Sequence, residues 1–350
     1  MDSRAFLSSS IPAVPKEGVV VSAPPPPAGG LDLYTGAWTG NEVIHLLKRT
    51  MFGARKADVD YFVSKTFLQS VDEILNPIAG LPDPPVKEYT TPATATVTDS
   101  NISQGATWVL DPNTDGTVNS LRRASFKKWW MGVMINQDRS IREKMILFWH
   151  NHFATETITI NNAQYVYKHH LLLRTYALGN FKALTRAVTI DPAMLVYLNG
   201  EHNTAKAPDE NYGRELQELF CCGKGSASLY TEADVMASAR VLTGWRNDQA
   251  NISSYFDEKR QDTGNKQFSD FYNNTIVQGQ TGSTGGDKEL DAMLDMIFAT
   301  QEVAKYICRR IYRWFVYYDI DDTVESTIIA PLAAIFRTNN YEIKPVLDTL

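Results

Sequence analysis

Histidine exchanges its proton near neutral pH and is a common metal ligand. His150 and His152 stand two residues apart in Phe148-Trp149-His150-Asn151-His152-Phe153, at the end of an apolar segment. A polar group buried in such a segment must be hydrogen-bonded, metal-bound or catalytic, because leaving it unpaired costs roughly 1–3 kcal/mol. Positions two apart lie about 200° apart on a helix. His152 therefore continues the inward stripe Met145-Phe148-Trp149, and His150 turns to the other side. The two could hold one ion only where the helix unwinds near Asn151. A second constellation is Glu210, Arg214 and Glu218, spaced four apart, with Tyr212, Leu216, Leu219 and Phe220 on the apolar side and Glu215 at its border. Arg214 there is either a member of a surface ion-pair ladder or an anion clamp between carboxylates. His202 lies in the turn-rich approach Asn199–Pro208. The candidate acid–base residues are thus His150, His152 and Glu215, and the candidate binding residues are Arg214, His202 and Asn211. A divalent metal would take His150, His152 and Glu210; such a mixed set suits zinc, iron or manganese.

Helices must position these groups. Thr39 caps a helix bearing Val43, Leu46 and Leu47, and a second helix is predicted over Lys56–Leu75. Leu121–Asn136 carries Trp129 and Trp130, and Ser140 with Glu143 reads as a capping box for the helix that ends in the histidines. Gln164–Leu178, Phe181–Ile190 and Pro192–Leu198 follow. Asp209 caps Glu210–Cys222, which Gly223 ends; Thr231 with Asp234 caps Glu232–Thr243, which Gly244 ends. Lys288–Ala299, Gln301–Tyr318 and Thr323–Arg337 complete the series, and a further helix opens near Lys344-Pro345. Strand-like alternation is scarce, so the expected fold class is all-α. A single helical domain over 36–350 is interrupted by two long irregular excursions, about 76–115 and 246–287, the second with room for a small hairpin. The Ser/Pro/Ala/Gly-rich stretch before residue 36, with Pro24–Pro27, reads as a disordered arm through which a protein partner could dock. His169-His170 should mark a helix face with one ring in and one out, and Asp262 and Lys266 should be exposed in a turn.

The 350 residues are 43% hydrophobic and carry a net charge of −6. Such a chain can build a core, and its charge argues against a broad nucleic-acid footprint. No apolar run approaches the roughly 20 residues of a membrane helix. The N-terminus has one arginine and no apolar core segment after it, so it is not a signal peptide as written. Cys221, Cys222 and Cys308 read as buried thiols, with one bridge from Cys308 open. Gly282–Gly286 lacks the lysine of a phosphate loop.

Several motifs occur in a fixed order: His45–Gly53, Arg142–Met145 with Phe148–Phe153, Ala177–Phe181, Asp191–Leu195, Glu210–Leu216 with Glu218–Phe220, and Tyr230–Val235 with Ala239–Trp245. In this the chain resembles the domain-of-unknown-function 1800 family of bacterial proteins. The resemblance implies a mostly helical, commonly exported protein, often encoded beside a sulfatase-like family, with no established reaction. It also implies a stretch beyond Leu350, so the chain reads as a fragment. Gln261 stands where histidine is frequent and Asp209 where asparagine is usual. Two functions fit: an exported enzyme acting on a polymeric or glycan-like substrate through a His/carboxylate centre, or a non-catalytic envelope-associated binding or assembly module.

Overall fold

The computed structural model describes residues 30–78, 80–90 and 98–350. The polyproline run and its docking role lie outside these residues. Leu31 and Tyr34, assigned to the unpacked arm, are in contact with the body: Leu31 packs on the main core, and the Tyr34 ring meets Phe67 at 5.5 Å.

Capping chemistry sets most helix starts. Thr39 and Glu42 form a reciprocal box for α1 (Gly40–Thr50). The expected Lys56–Leu75 helix is two, α2 (Lys56–Val63) and α3 (Phe67–Leu75), because Thr66 and Gln69 form a capping box of their own and restart the chain. Then come α4 (Gly116–Ile135), α5 (Arg142–His152), α6 (Thr157–Ile160), α7 (Ala163–Thr175), α8 (Phe181–Thr189) and α9 (Pro192–Tyr197). Asp209 caps α10 (Glu210–Glu215), which widens into a π-helical turn over Leu216–Cys221; Gly223, at φ +78°, closes it. Thr231 and Asp234 cap α11 (Glu232–Val241). At Gly244, φ +98°, any side chain would strike Phe256 at 2.8 Å.

The fold is mostly helical, but all-α overstates it. The second excursion folds into two antiparallel hairpins, β1 (Trp245–Asp248) with β2 (Ser253–Phe256) and β3 (Lys266–Gln267) with β4 (Ile276–Val277). Lys266, expected in solvent, is fully buried: its ammonium pairs with Glu289 at 2.5 Å and donates to the Asp262 carbonyl. Asp262 itself pairs with Arg240 at 2.7 Å. The described residues of the first excursion have little regular structure, but they are tied down. Arg122 of α4, with no exposed surface, grips Asp99 at 2.7 Å and Asp111 at 2.6 Å. The chain closes with α12 (Gly285–Ala299), α13 (Gln301–Phe315), α14 (Asp322–Val324), a π-helical turn over Glu325–Ile329, α15 (Ala330–Thr338) and α16 (Ile343–Thr349).

The main core gathers Trp149, Phe153, Phe181, Leu216, Ile307 and Phe336 from α5 and its C-cap, α8, the π-helical turn after α10, α13 and α15. A smaller one forms around Trp108, Phe126 and Tyr165, where the first excursion meets α4 and α7. Helix α7 touches α4, α5, α8 and α9, so little of its circumference faces water. The three cysteines are free and buried, with no bridge from Cys308.

Candidate functional site

The capping box expected at Ser140 does not form. Ser140 donates its hydroxyl to Asp138 at 2.6 Å and accepts only the Arg142 N–H. Glu143 is thereby released from its own helix end and reaches the last turn of α7. There it accepts two parallel bonds from Arg174, at 2.6 and 2.8 Å. Both side chains are almost completely buried. Taking either charge away would strand the other in a low-dielectric interior.

This pair lies in the wall of an open groove between α4, α5, α7 and the loop after α3. The groove has a larger chamber of about 600 Å³ and a smaller one of about 240 Å³, whose shared wall is Gly80, Leu81, Arg142 and Arg174. Arg142 spans the junction, donating to the Gly80 carbonyl at 3.1 Å and to that of Ile78. The larger chamber is bounded by Trp129, whose indole N–H donates to the Asp83 carbonyl at 2.6 Å, fixing the ring. Two polar atoms in this wall have no partner although they are buried: the Arg174 Nε–H, a donor, and Gln137 Oε1, an acceptor. Beside an open chamber, such atoms mark places where a ligand or water can complete the bonding.

A buried polar layer backs the groove. His170 is 1% exposed; neither ring nitrogen has a partner, and the ring sits among Phe126, Trp129 and Trp130 at 4.6–5.5 Å. Burial, reinforced by the Arg174 charge, holds its pKa well below the usual histidine value. His169 meets Asp191 through Nδ1 at 3.0 Å, and its Nε2 is buried without a partner. Both rings point inward, contrary to the one-in, one-out expectation, because α7 is packed on both sides.

The residues singled out by sequence are dispersed. His152 is buried in the main core as expected and donates Nε2–H to the Phe220 carbonyl at 3.0 Å. Burial, with a smaller push from Arg310, lowers its pKa to about 3. His150 takes the other side, against Trp130 at 5.0 Å, and burial lowers its pKa to about 4. His202 is on the surface, 3.7 Å from Glu201. Glu215 is half-buried with one unpartnered oxygen, and burial raises its pKa. Arg214 makes a bidentate pair with Glu232 of α11, 2.7 Å on each arm, and reaches Glu210 at 3.1 Å. Asn211 is exposed and donates to the Leu198 carbonyl at 3.3 Å. No hydrogen bond or ion pair joins any two of His150, His152, His202 and Glu215. Among the described residues no three His, Cys, Asp or Glu side chains are grouped to hold a metal, so His150, His152 and Glu210 do not form one ligand set.

The Glu210–Phe220 motif has a structural explanation instead. Gly213 lets α10 and α11 approach so closely that an added Cβ would lie 3.1 Å from the Ala239 nitrogen. Gln217 bonds Ser238 at 3.2 Å and accepts from Tyr272 at 2.8 Å, and Asp234 holds Ser269 through two bonds of 2.7 Å. These contacts weld α10, α11 and the second excursion together.

Sequence reasoning missed Arg174, Gln137 and Asp83 altogether. It read Glu143 as a cap and placed Trp129 on a helix without giving it a role. A usable signal was present for one of them: an arginine on a helix flanked by apolar positions, Leu171-Leu172-Leu173-Arg174, needs a buried acid.

Fold and groove together define a mostly helical protein with an open, mixed-polarity cleft over a buried layer of histidines. The chain belongs to the family described as "Protein of unknown function (DUF1800)", whose model matches residues 45–350. No curated protein and no solved structure matches it.

Proposed function

We propose that the protein binds a hydroxyl-rich, glycan-like polymer in the groove between α4, α5 and α7. The observation that carries this reading is the pairing of an unused buried donor, Arg174 Nε–H, with an unused buried acceptor, Gln137 Oε1, in one chamber wall beside the fixed ring of Trp129. A sugar hydroxyl is both donor and acceptor, and a pyranose presents an apolar C–H face that lies well on an indole. The two chambers share a wall, so the groove continues from one into the other, which suits a chain more than a compact metabolite.

The enzyme reading, with His150, His152 and Glu215 as acid, base or ligands, has less support. His152 spends its Nε2–H on Phe220 inside the core, and no contact brings the three to one cavity. Any metal held by His150, His152 and Glu210 would require a rearrangement of α5 and α10.

Affinity electrophoresis of the full chain through gels containing neutral or acidic polysaccharides tests the reading. Retardation by at least one polymer is expected. Trp129→Ala should weaken it about tenfold or more, since stacking and burial of an aromatic contribute on the order of 1–3 kcal/mol. Gln137→Ala should weaken it several-fold. Migration unaffected by every polymer, or retardation that both variants retain in full, would overturn it.

A further inference from the structure

We infer that the smaller chamber is a subsite for an oxyanion carried on that polymer, so that the preferred substrate is an acidic polysaccharide; this rests on the groove being the glycan site. Among the described residues, the charged ones lining the smaller chamber are Arg142 and Arg174, with no carboxylate beside them in its wall. The larger chamber, by contrast, is lined by Asp83, Asp138 and Glu143 as well as the two arginines. Charge is therefore divided along the groove.

Arg142 carries the uncompensated charge here, because Arg174 is forked to Glu143 and its unpartnered Nε–H serves the polymer hydroxyl. Arg174 is 6% exposed; its two terminal nitrogens are taken by Glu143, and its Nε–H has no partner. Arg142 donates only to the main-chain carbonyls of Gly80 and Ile78, and it forms no ion pair among the described residues. A guanidinium held only by carbonyls has no counter-charge beside it, whereas one forked to a carboxylate is compensated by its partner. Arginine's planar fork matches the oxygens of a carboxylate or sulfate. The rest of the wall supplies apolar contact from Leu81 and Leu178 and one exposed hydroxyl residue, Thr175. A chamber of about 240 Å³ accommodates one charged substituent with part of its ring.

Thr175 offers a test that spares the fold, being exposed at the end of α7. Thr175→Asp, Thr175→Lys and Arg142→Gln in the full chain would be compared with the parent protein on three polymers sharing one backbone: dextran, carboxymethyl-dextran and dextran sulfate. The parent should bind one or both charged polymers at least tenfold more tightly than dextran, with affinity falling as salt is raised. Thr175→Asp and Arg142→Gln should each remove most of that preference, and Thr175→Lys should increase it. Which charged polymer binds better separates the carboxylate from the sulfate ester. Equal binding of all three polymers, or a preference indifferent to Thr175→Asp, would overturn the subsite and leave the groove reading standing. Binding to none of these, nor to any polysaccharide of the wider panel, would remove both.

Discussion

Two arginine–glutamate forks in this protein have nearly the same geometry and opposite surroundings. Arg174 and Glu143 meet at 2.6 and 2.8 Å with about 3–4% of each side chain exposed. Arg214 and Glu232 meet at 2.7 Å on both arms, with 35% and 74% exposed. The first lies in a groove wall and has a donor left over; the second is on the surface and gains a third contact from Glu210. The chain's most distinctive motif surrounds the second pair, yet the unsatisfied chemistry surrounds the first. A long motif can record how tightly helices must pack, as Gly213 against Ala239 does, rather than where a ligand sits.

The largest expected effect breaks the buried fork. Glu143→Ala would leave the Arg174 guanidinium without its partner in the interior, at a cost of about 3–5 kcal/mol. Urea denaturation should show the midpoint fall steeply. Replacing the pair together, Glu143→Met with Arg174→Met, should recover much of the loss, because the penalty lies in the stranded charge. A single-variant loss below about 1 kcal/mol would mean that water reaches the pair and that the two forks are alike.

The same contrast explains what could be read in the sequence. Local signals held: Thr39, Thr231 with Asp234, and Asp209 each start the helix they should, and Gly223 and Gly244 end theirs at positive φ. His152 inward and His150 to the other side followed from helical angle alone. The failures came where a distant partner outbid a near one. Glu143 had Ser140 three residues away and chose Arg174, thirty-one residues on. His169 and His170 could not be split by periodicity once α7 was covered on both sides. Lys266 is buried because Glu289, twenty-three residues later, comes to meet it. The groove depends on Gly80 lying beside Arg142, a contact between a loop and a helix sixty-two residues apart that no local pattern encodes.

A middle-sized effect is read by pH. His152 has its pKa lowered from 6.5 to about 3 by burial. Its imidazole is neutral in the folded state while the unfolded chain takes up a proton below about pH 6.5. The stabilisation is therefore complete above that value and is lost as pH falls toward 3. One such group removes about 1.4 kcal/mol per pH unit, or about 2 kcal/mol between pH 7 and pH 5. His150, lowered to about 4, adds to the slope over the upper part of the same window. His152→Phe should be less stable at pH 7, because the Phe220 carbonyl loses its donor, and should show a shallower pH dependence. A parent protein equally stable at pH 7 and pH 5 would contradict the buried neutral rings.

The smallest expected effect belongs to the exposed fork, and it is the sharper test of the comparison because it predicts near-silence inside the Glu210–Phe220 motif. Arg214→Ala removes two good hydrogen bonds to Glu232 and one to Glu210. All three carboxylate contacts are in reach of water, which rehydrates the acids at little cost, and holding three long side chains in one geometry opposes the gain with lost rotamer entropy. Such pairs contribute about 0–1 kcal/mol, and salt screens what there is. The melting temperature should move by a few degrees at most, and less at high ionic strength. Polysaccharide retardation should be unchanged, since Arg214 lines neither chamber. If Arg214→Ala instead abolished binding with the fold intact, the motif would be a ligand site after all, and the assignment of function to the Arg174 groove would have to move to α10 and α11.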